Sequence, residues 1–194
     1  MSKLRPAIEA DLDAIAALHA QRIGEGFLSS LGPRFLRRLY RRVLRSSAGF
    51  IVVATEPAAV VGFVAGVDDL GALYREFVLR DGVAAGVVAA PRLLRALPRV
   101  VETLRYPSVT DDLPAAEILA VAVAADATGQ GVGRSLVKAG TTAFAARGIT
   151  VAKVVTTADN AAALAMYRAC GFATASRVEV HSGRASEVLV WNAS

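Results

Sequence analysis

Apolar residues recur along this chain at two spacings, one near 3.6 residues and one of two, and the changes between them mark out its elements. Leu4 to Ile8 reads as a short strand. From Ala10 to Gln21, Leu12, Ile15, Ala16 and Leu18 fall on one face and Asp11 stands near the start, which predicts an amphipathic helix. A loop over 24–32 holds Phe27 and Leu28. Pro33 suits the first turn of a second helix running to about Ser46. Apolar runs at 50–55 and 60–67, around a turn at 56–59, predict a hairpin. Residues 68–115 carry helical stretches at 73–79, 83–89 and 92–104, broken at Pro91 and Pro98. Next come a strand at 117–123, a glycine-rich turn at 126–133, and a helix at 134–147 closed by Gly148. A strand at 151–156 leads to a helix at 160–169 stopped before Gly171. A final hairpin, 172–181 with 186–191, turns around Ser182 and Gly183. The order β-α-α-β-β-(insertion)-β-α-β-α-β-β, without repeat or linker, fits one domain over 1–194 of the α+β class with a mixed sheet.

Composition narrows the classes. With 54% hydrophobic and 20% charged residues, the chain has enough apolar surface for a packed core, so disorder is not expected. The most apolar central stretch, 82–101, is interrupted by Arg92, Arg95, Arg99 and two prolines, so it does not read as a membrane span. The N-terminus has no apolar run of the kind a signal peptide needs, which points to the cytoplasm. Cys170 is the one cysteine, so no internal disulfide can form; with two histidines, a structural zinc site is not expected either. We read Cys170 as a core residue rather than a nucleophile.

A net charge of +5 would suit an anionic partner. Much of the positive charge lies in the second helix, where Arg34, Arg37, Arg38, Arg41, Arg42 and Arg45 interleave with Phe35, Leu36, Leu39, Tyr40, Val43 and Leu44. The simplest account is a solvated basic face on an amphipathic helix; without a reading motif it does not indicate nucleic acid.

The most informative segment is 121–134, Val-Ala-Val-Ala-Ala-Asp-Ala-Thr-Gly-Gln-Gly-Val-Gly-Arg: a strand, a glycine-rich turn and the start of a helix. Such a turn converges backbone N–H groups on an anion, the helix dipole favours negative charge, and glycine permits close approach. A pyrophosphate-bearing ligand is therefore expected on physical grounds. A dinucleotide fingerprint would need glycine where Arg134 stands and an acid at the end of the next strand, which closes instead on Val155, Thr156 and Thr157. A nucleotide-phosphate loop would need Lys-Ser or Lys-Thr in place of Arg134-Ser135.

One strand later, Asn160 begins a helix as a good N-cap, Tyr167 follows two turns on along the same face, and Gly171-Phe172 closes the segment. With the glycine turn, this Asn-x6-Tyr…Gly-Phe spacing resembles the GNAT superfamily of acyl-CoA-dependent N-acyltransferases. The resemblance covers 117–172 by motif and the rest by element order. It implies a mixed, mostly antiparallel twisted sheet flanked by helices, here with a helical insertion at 68–115 between strands 3 and 4. It also implies acetyl-CoA as cosubstrate, with no metal, and acetyl transfer to a primary amine by direct attack.

Carried onto this chain, the resemblance implies that the pantetheine arm pairs with the backbone of Val121 and Val123. The pyrophosphate would meet Thr128, Gly129, Gln130, Gly131, Val132, Gly133 and Arg134, and Asn160 would lie near the pantetheine or adenine side. Thr128 stands where the family has Gln or Arg, so one polar side-chain contact is altered. Tyr167 falls where many relatives place the acid that protonates the leaving thiolate. Glu117 falls where histone-acetylating members place the general base, and a carboxylate at the start of an apolar strand can have a raised pKa. His19 ends the first helix beside the loop that often borders the acceptor; surface packing is its simpler role.

The insertion is expected to serve as a lid or wall of the acceptor pocket or as a contact in a homodimer. The acceptor is expected to be a small-molecule amine such as an amino sugar or nucleotide-linked amino sugar, the basic helix favouring an anionic one such as the nucleotide-linked form. No nucleic acid or membrane partner is expected. A protein or peptide amine as acceptor, and a non-catalytic acyl-CoA sensor, are the alternatives.

Overall fold

The computed structural model describes residues 2–23, 31–57, 59–73, 75–76, 79–80, 113–180 and 184–193. Seven strands form one sheet: β1 (Lys3–Pro6), β2 (Gly49–Glu56), β3 (Ala59–Val67), β4 (Glu117–Val123), β5 (Val151–Thr157), β6 (Phe172–Val180) and β7 (Arg184–Asn192). Their order is β1-β2-β3-β4-β5-β7-β6. Every neighbouring pair is antiparallel except β4 with β5, as a crossover through a helix requires. Among the described residues, the α-helices with complete ranges are α1 (Leu12–Arg22), α2 (Pro33–Arg45), α3 (Val132–Ala146) and α4 (Ala161–Arg168).

Both faces of the sheet are covered, and this explains why its central strands read as continuous apolar runs. On one face, Leu12 and Ile15 of α1 and Leu36, Tyr40 and Val43 of α2 pack on Ile51, Val53, Phe63 and Ala65. On the other, Leu136, Val137 and Phe144 of α3 and Leu164 of α4 pack on Val64, Ile118, Ala152, Val154 and Leu189. Fully burying a side chain such as Phe144 contributes about 1.5–3 kcal/mol, so these two layers dominate the stability.

The ends of the helices follow local chemistry. Before α1, the carboxylate of Asp11 accepts from the Ile8 N–H at 2.8 Å and from both terminal nitrogens of Arg5 at 2.7 and 2.8 Å. Pro33 occupies the first turn of α2. At the end of α3, Gly148 takes φ +76°; its N–H reaches Ala145 O and the Ile149 N–H reaches Phe144 O, the pair of bonds of a Schellman cap. The basic face of α2 is largely engaged within the molecule: Arg37 pairs with Asp13, Arg41 and Arg45 with Glu9, and Arg42 with Glu76.

The expected elements agree with the structure to within a few residues. The helix after the glycine turn starts at Val132 rather than Arg134, because Gly131 serves as its N-cap in the left-handed region. In the insertion, residues 70–73, 75–76 and 79–80 are helical. The stretches expected at 83–89 and 92–104, and the turn at Ser182 and Gly183, lie outside the described residues.

Candidate active site

β4 and β5 separate almost as soon as they meet. Their register holds only Glu117 opposite Lys153 and Ile118 opposite Val154, with Lys153 N–H donating to Ala116 O at 2.9 Å. Beyond Ile118 the two parallel strands share no pairs, while β4 stays paired with β3 as far as Val123. The divergence coincides with a bulge: the β3 register steps from Ala120 to Ile118 and passes over Leu119. Ala124 N–H donates to Val61 O in β3 at 2.8 Å. Strand alternation then turns the N–H and C=O groups of Val121 and Val123 the other way, into the gap.

At its carboxyl end β4 runs through a short 3-10 turn (Ala125–Ala127) into the glycine loop. Gly129 and Gly131 take φ +82° and +80°, and a Cβ added to either would meet no atom within 4 Å, so the space above them is open. Gly131 brings no capping side chain to α3. The amides of Val132, Gly133 and Arg134 belong to the first turn, which has no intrahelical acceptor to offer them. Gly133 has a different purpose. A Cβ there would lie 2.8 Å from Met166 Sδ, so glycine lets α3 and α4 approach closely. Two polar side chains of the loop bond to its own backbone: Thr128 Oγ1 donates to Ala124 O at 3.0 Å and Gln130 Nε2 to Asp126 O at 2.8 Å. The loop thus presents outward main-chain N–H, with Asp126, Thr128, Gln130 and Arg134 as its exposed side chains. This donor set, at a helix N-terminus and continuous with the gap, fits the diphosphate and amide-bearing arm of coenzyme A.

Asn160 caps α4, its Oδ1 accepting from Ala163 N–H at 3.1 Å. Tyr167 is 6% exposed and packs at a tilt on Phe172, with ring centroids 5.6 Å apart. Burial, and secondarily the neighbouring Cys170, push the Tyr167 phenol well above its ordinary pKa, so it keeps its proton as a donor. Cys170 is half-buried, with Sγ 3.7 Å from Arg134 O, and burial raises its pKa also; the thiol stays protonated and is a poor nucleophile.

Glu117 stands at the opposite end of β4, about 20 Å along the strand from Val123. It is 9% exposed, and its Oε2 lies 3.4 Å from Lys153 Nζ without hydrogen-bond geometry. Desolvation raises the pKa of the carboxyl, against the opposing pull of Lys153. Lys153 Nζ donates to Pro114 O. Lys153 is the residue of this region that pattern reading passed over, although one lysine inside the apolar run Val151–Val155 is a signal.

His19 corrects an expectation. It is not at the surface but 4% exposed, with Nδ1 2.6 Å from the hydroxyl of the buried Tyr40, and burial lowers its pKa to about 4. A neutral imidazole locked between α1 and α2 is structural.

The structure thus gathers Val121, Val123, Thr128 and 129–134 at one end of the gap and places Glu117 at the closed end; Asn160 and Tyr167 lie on the helix after β5. A cleft of about 490 Å³ opens at the amino ends of β4 and β5, lined in part by Pro114, Ala116 and Ile149, away from the glycine loop. Among the described residues, no group of three or more His, Cys, Asp or Glu side chains could hold a metal, and no helix is long and apolar enough to cross a membrane.

An open parallel pair ending on an amide-lined turn is the arrangement that the resemblance to acyl-CoA-dependent transferases led us to expect. The family model for the acetyltransferase (GNAT) family matches residues 17–172, and the chain belongs to that family. Among solved structures it is similar to the ribosomal-protein-S18-alanine N-acetyltransferase of Escherichia coli, at 15% identity and a TM-score of 0.64 over 100% of this chain and 95% of that one. It is also similar to the ribosomal-protein-alanine N-acetyltransferase of Brucella melitensis, at 20% identity and a TM-score of 0.66 over 98% and 99%. A Bacillus anthracis protein solved in complex with acetyl coenzyme A matches at 13% identity and a TM-score of 0.53, over 80% and 68%. At these identities the likeness is one of fold. No curated protein sequence matches.

Proposed function

We propose that this chain, a single domain over 1–194, is an N-acetyltransferase that moves an acetyl group from acetyl-CoA to a primary amine of a small molecule by direct attack. The observation that carries this is the gap beyond Ile118, continuous with the amides of 129–134. In this reading the main-chain groups of Val121 and Val123 extend the sheet onto the pantetheine arm. The amides of Gly129 to Arg134 grip the diphosphate, Thr128 contributes through its backbone only, and the Nδ2 of Asn160 faces the cofactor.

Acetyl-CoA, when bound, supplies an activated thioester carbonyl. Glu117 takes the proton that the acceptor amine must lose, directly or through water; its burial suits a base that works near neutral pH. The amine nitrogen forms the new C–N bond as the C–S bond breaks. Tyr167 donates a hydrogen bond from its phenol to the departing sulfur and stabilises its negative charge; the raised pKa keeps the hydrogen on the phenol oxygen, and the thiolate leaves to take its proton from water.

A peptide amine as acceptor is the second reading, supported by the names of the Escherichia coli and Brucella melitensis structures. The internally paired arginines of α2 withdraw the support that helix gave to an anionic amino-sugar acceptor. Calorimetry with acetyl-CoA followed by a mass-spectrometric panel of small amines and peptides tests the function. Affinity for the cofactor with no product from any amine would select a sensor, and no affinity would refute the proposal. Tyr167→Phe is expected to lower turnover about 100-fold while changing cofactor affinity less than about threefold. Equal losses in both would remove Tyr167 from the chemistry.

A further inference from the structure

The base assigned above sits in an unusual setting. Glu117 and Lys153 are directly opposite each other in the two-residue parallel register that closes the gap, and both side chains are nearly inaccessible, at 11% and 7%. Glu117 Oε2 has no hydrogen-bond donor, although Lys153 Nζ is 3.4 Å away. A buried carboxylate that accepts no hydrogen bond is costly unless a charge offsets it. Structural ion pairs normally satisfy their oxygens; this one leaves Oε2 free of donors, as a proton acceptor must be, with the Lys153 ammonium 3.4 Å away.

We propose that Lys153 is a positioning residue, whose ammonium, anchored on Pro114 O, keeps Glu117 ionised and its free Oε2 ready for the acceptor's proton. This rests on the role given to Glu117 under Proposed function.

No other described group competes for it. Opposite Glu117 in β3 is Val67, an apolar residue of the α1/α2 face. Asp68, next along, is engaged by Arg147 Nε at 3.0 Å, and Asp69 accepts from Ala72 N–H at 2.8 Å. The helices on this face contribute His19 and Tyr40, which are bonded to each other and neutral at working pH. Lys153 is the charge that acts on Glu117, opposing the effect of desolvation.

The test follows the carboxyl itself. Full-length chain carrying carboxyl-labelled glutamate is titrated by carbon-13 NMR, the Glu117 signal being assigned by its loss in Glu117→Gln. Lys153→Met should raise the Glu117 midpoint by roughly one to three pH units, the range expected when an opposite charge at this distance is removed. Lys153→Arg, which keeps the charge, should leave it near wild type. Lys153→Gln serves if the methionine variant does not fold. In acetyl transfer, the acidic limb of kcat/KM should move upward with the NMR midpoint, and with little change in the KM for acetyl-CoA.

An unmoved midpoint in a folded Lys153→Met or Lys153→Gln overturns the coupling, whatever the activity. A moved midpoint with a fixed acidic limb shows that Glu117 is not the base, and overturns the role of Lys153 in transfer. The titration needs neither cofactor nor acceptor. A coupled pair in a chain that acetylates nothing would therefore locate the failure in the proposed function, not in the pair.

Discussion

Gly131→Ala separates what the glycine loop does for the fold from what it does for the ligand. Gly131 lies at φ +80° with no atom within 4 Å of an added Cβ, so alanine meets backbone strain but no clash. Left-handed backbone costs a residue with a Cβ about 1–2 kcal/mol. For a chain of this size that corresponds to a drop of roughly 2–8 °C in Tm. Gly148, at φ +76° and equally open, is the matching control at the far end of the same helix. Gly148→Ala should cost about the same stability. The two variants should part company on calorimetric titration with coenzyme A. At Gly131 the new methyl enters the open space over the amides, and losing one charge-assisted hydrogen bond costs about 1.5–3 kcal/mol. At about 1.4 kcal/mol per tenfold, the Kd should rise roughly 10- to 150-fold. Gly148→Ala should bind as wild type does. Equal affinities for the two variants, at similar Tm, would refute main-chain recognition at this loop.

Two acid-sensitive elements should be separable by pH. The folded state holds the His19 pKa at about 4 against an ordinary 6.5, so as pH falls the unfolded chain takes the proton first. Stability is then intact above about pH 6.5 and lost toward pH 4 at up to about 1.4 kcal/mol per unit; urea denaturation of His19→Gln should lack that slope. Asp11 is held below its ordinary 3.8 mainly by Arg5, so its contribution is intact above that value and lost below it. Because Arg5 is 35% exposed, Asp11→Asn should cost only about 1 kcal/mol at pH 7 and should flatten the remaining fall below pH 4. A urea midpoint that does not vary between pH 7 and pH 4 in wild type would discount the His19 account, and one that Asp11→Asn leaves unaltered at pH 7 and pH 3 would discount the Asp11 account.

What the sequence made legible was local. Short apolar runs gave β2 to β5, helical spacing gave α1 and α2, and Gly148 marked the end of α3, because each signal is contained within a few residues. His19 was misjudged because its partner Tyr40 lies 21 positions away and only helix packing brings the two together. Lys153 was passed over for a similar reason. Its meaning depends on Glu117 and Pro114, both more than 30 residues earlier, reached across the β4–β5 register. The split between β4 and β5 is equally silent in the hydrophobic pattern, since side-chain alternation reports which faces are covered and not which edge is paired.

That edge is the physical root of the proposed binding site. A strand between two helical layers would normally have both its edges paired, because unpartnered N–H and C=O groups at such depth cost about 1–3 kcal/mol each. The bulge at Leu119 changes the course of β4 while β3 keeps hold of it, and β5, paired at only two positions, does not follow. The main-chain groups of Val121 and Val123 are thereby left for an extended, amide-bearing chain to complete. The loop at the open end offers main-chain N–H groups at a helix N-terminus, which favours a ligand with an anionic terminus. In the proposed reading recognition draws on backbone at both ends, so Thr128, its exposed hydroxyl bonded to Ala124 O, can stand where the family resemblance expects Gln or Arg without removing the site.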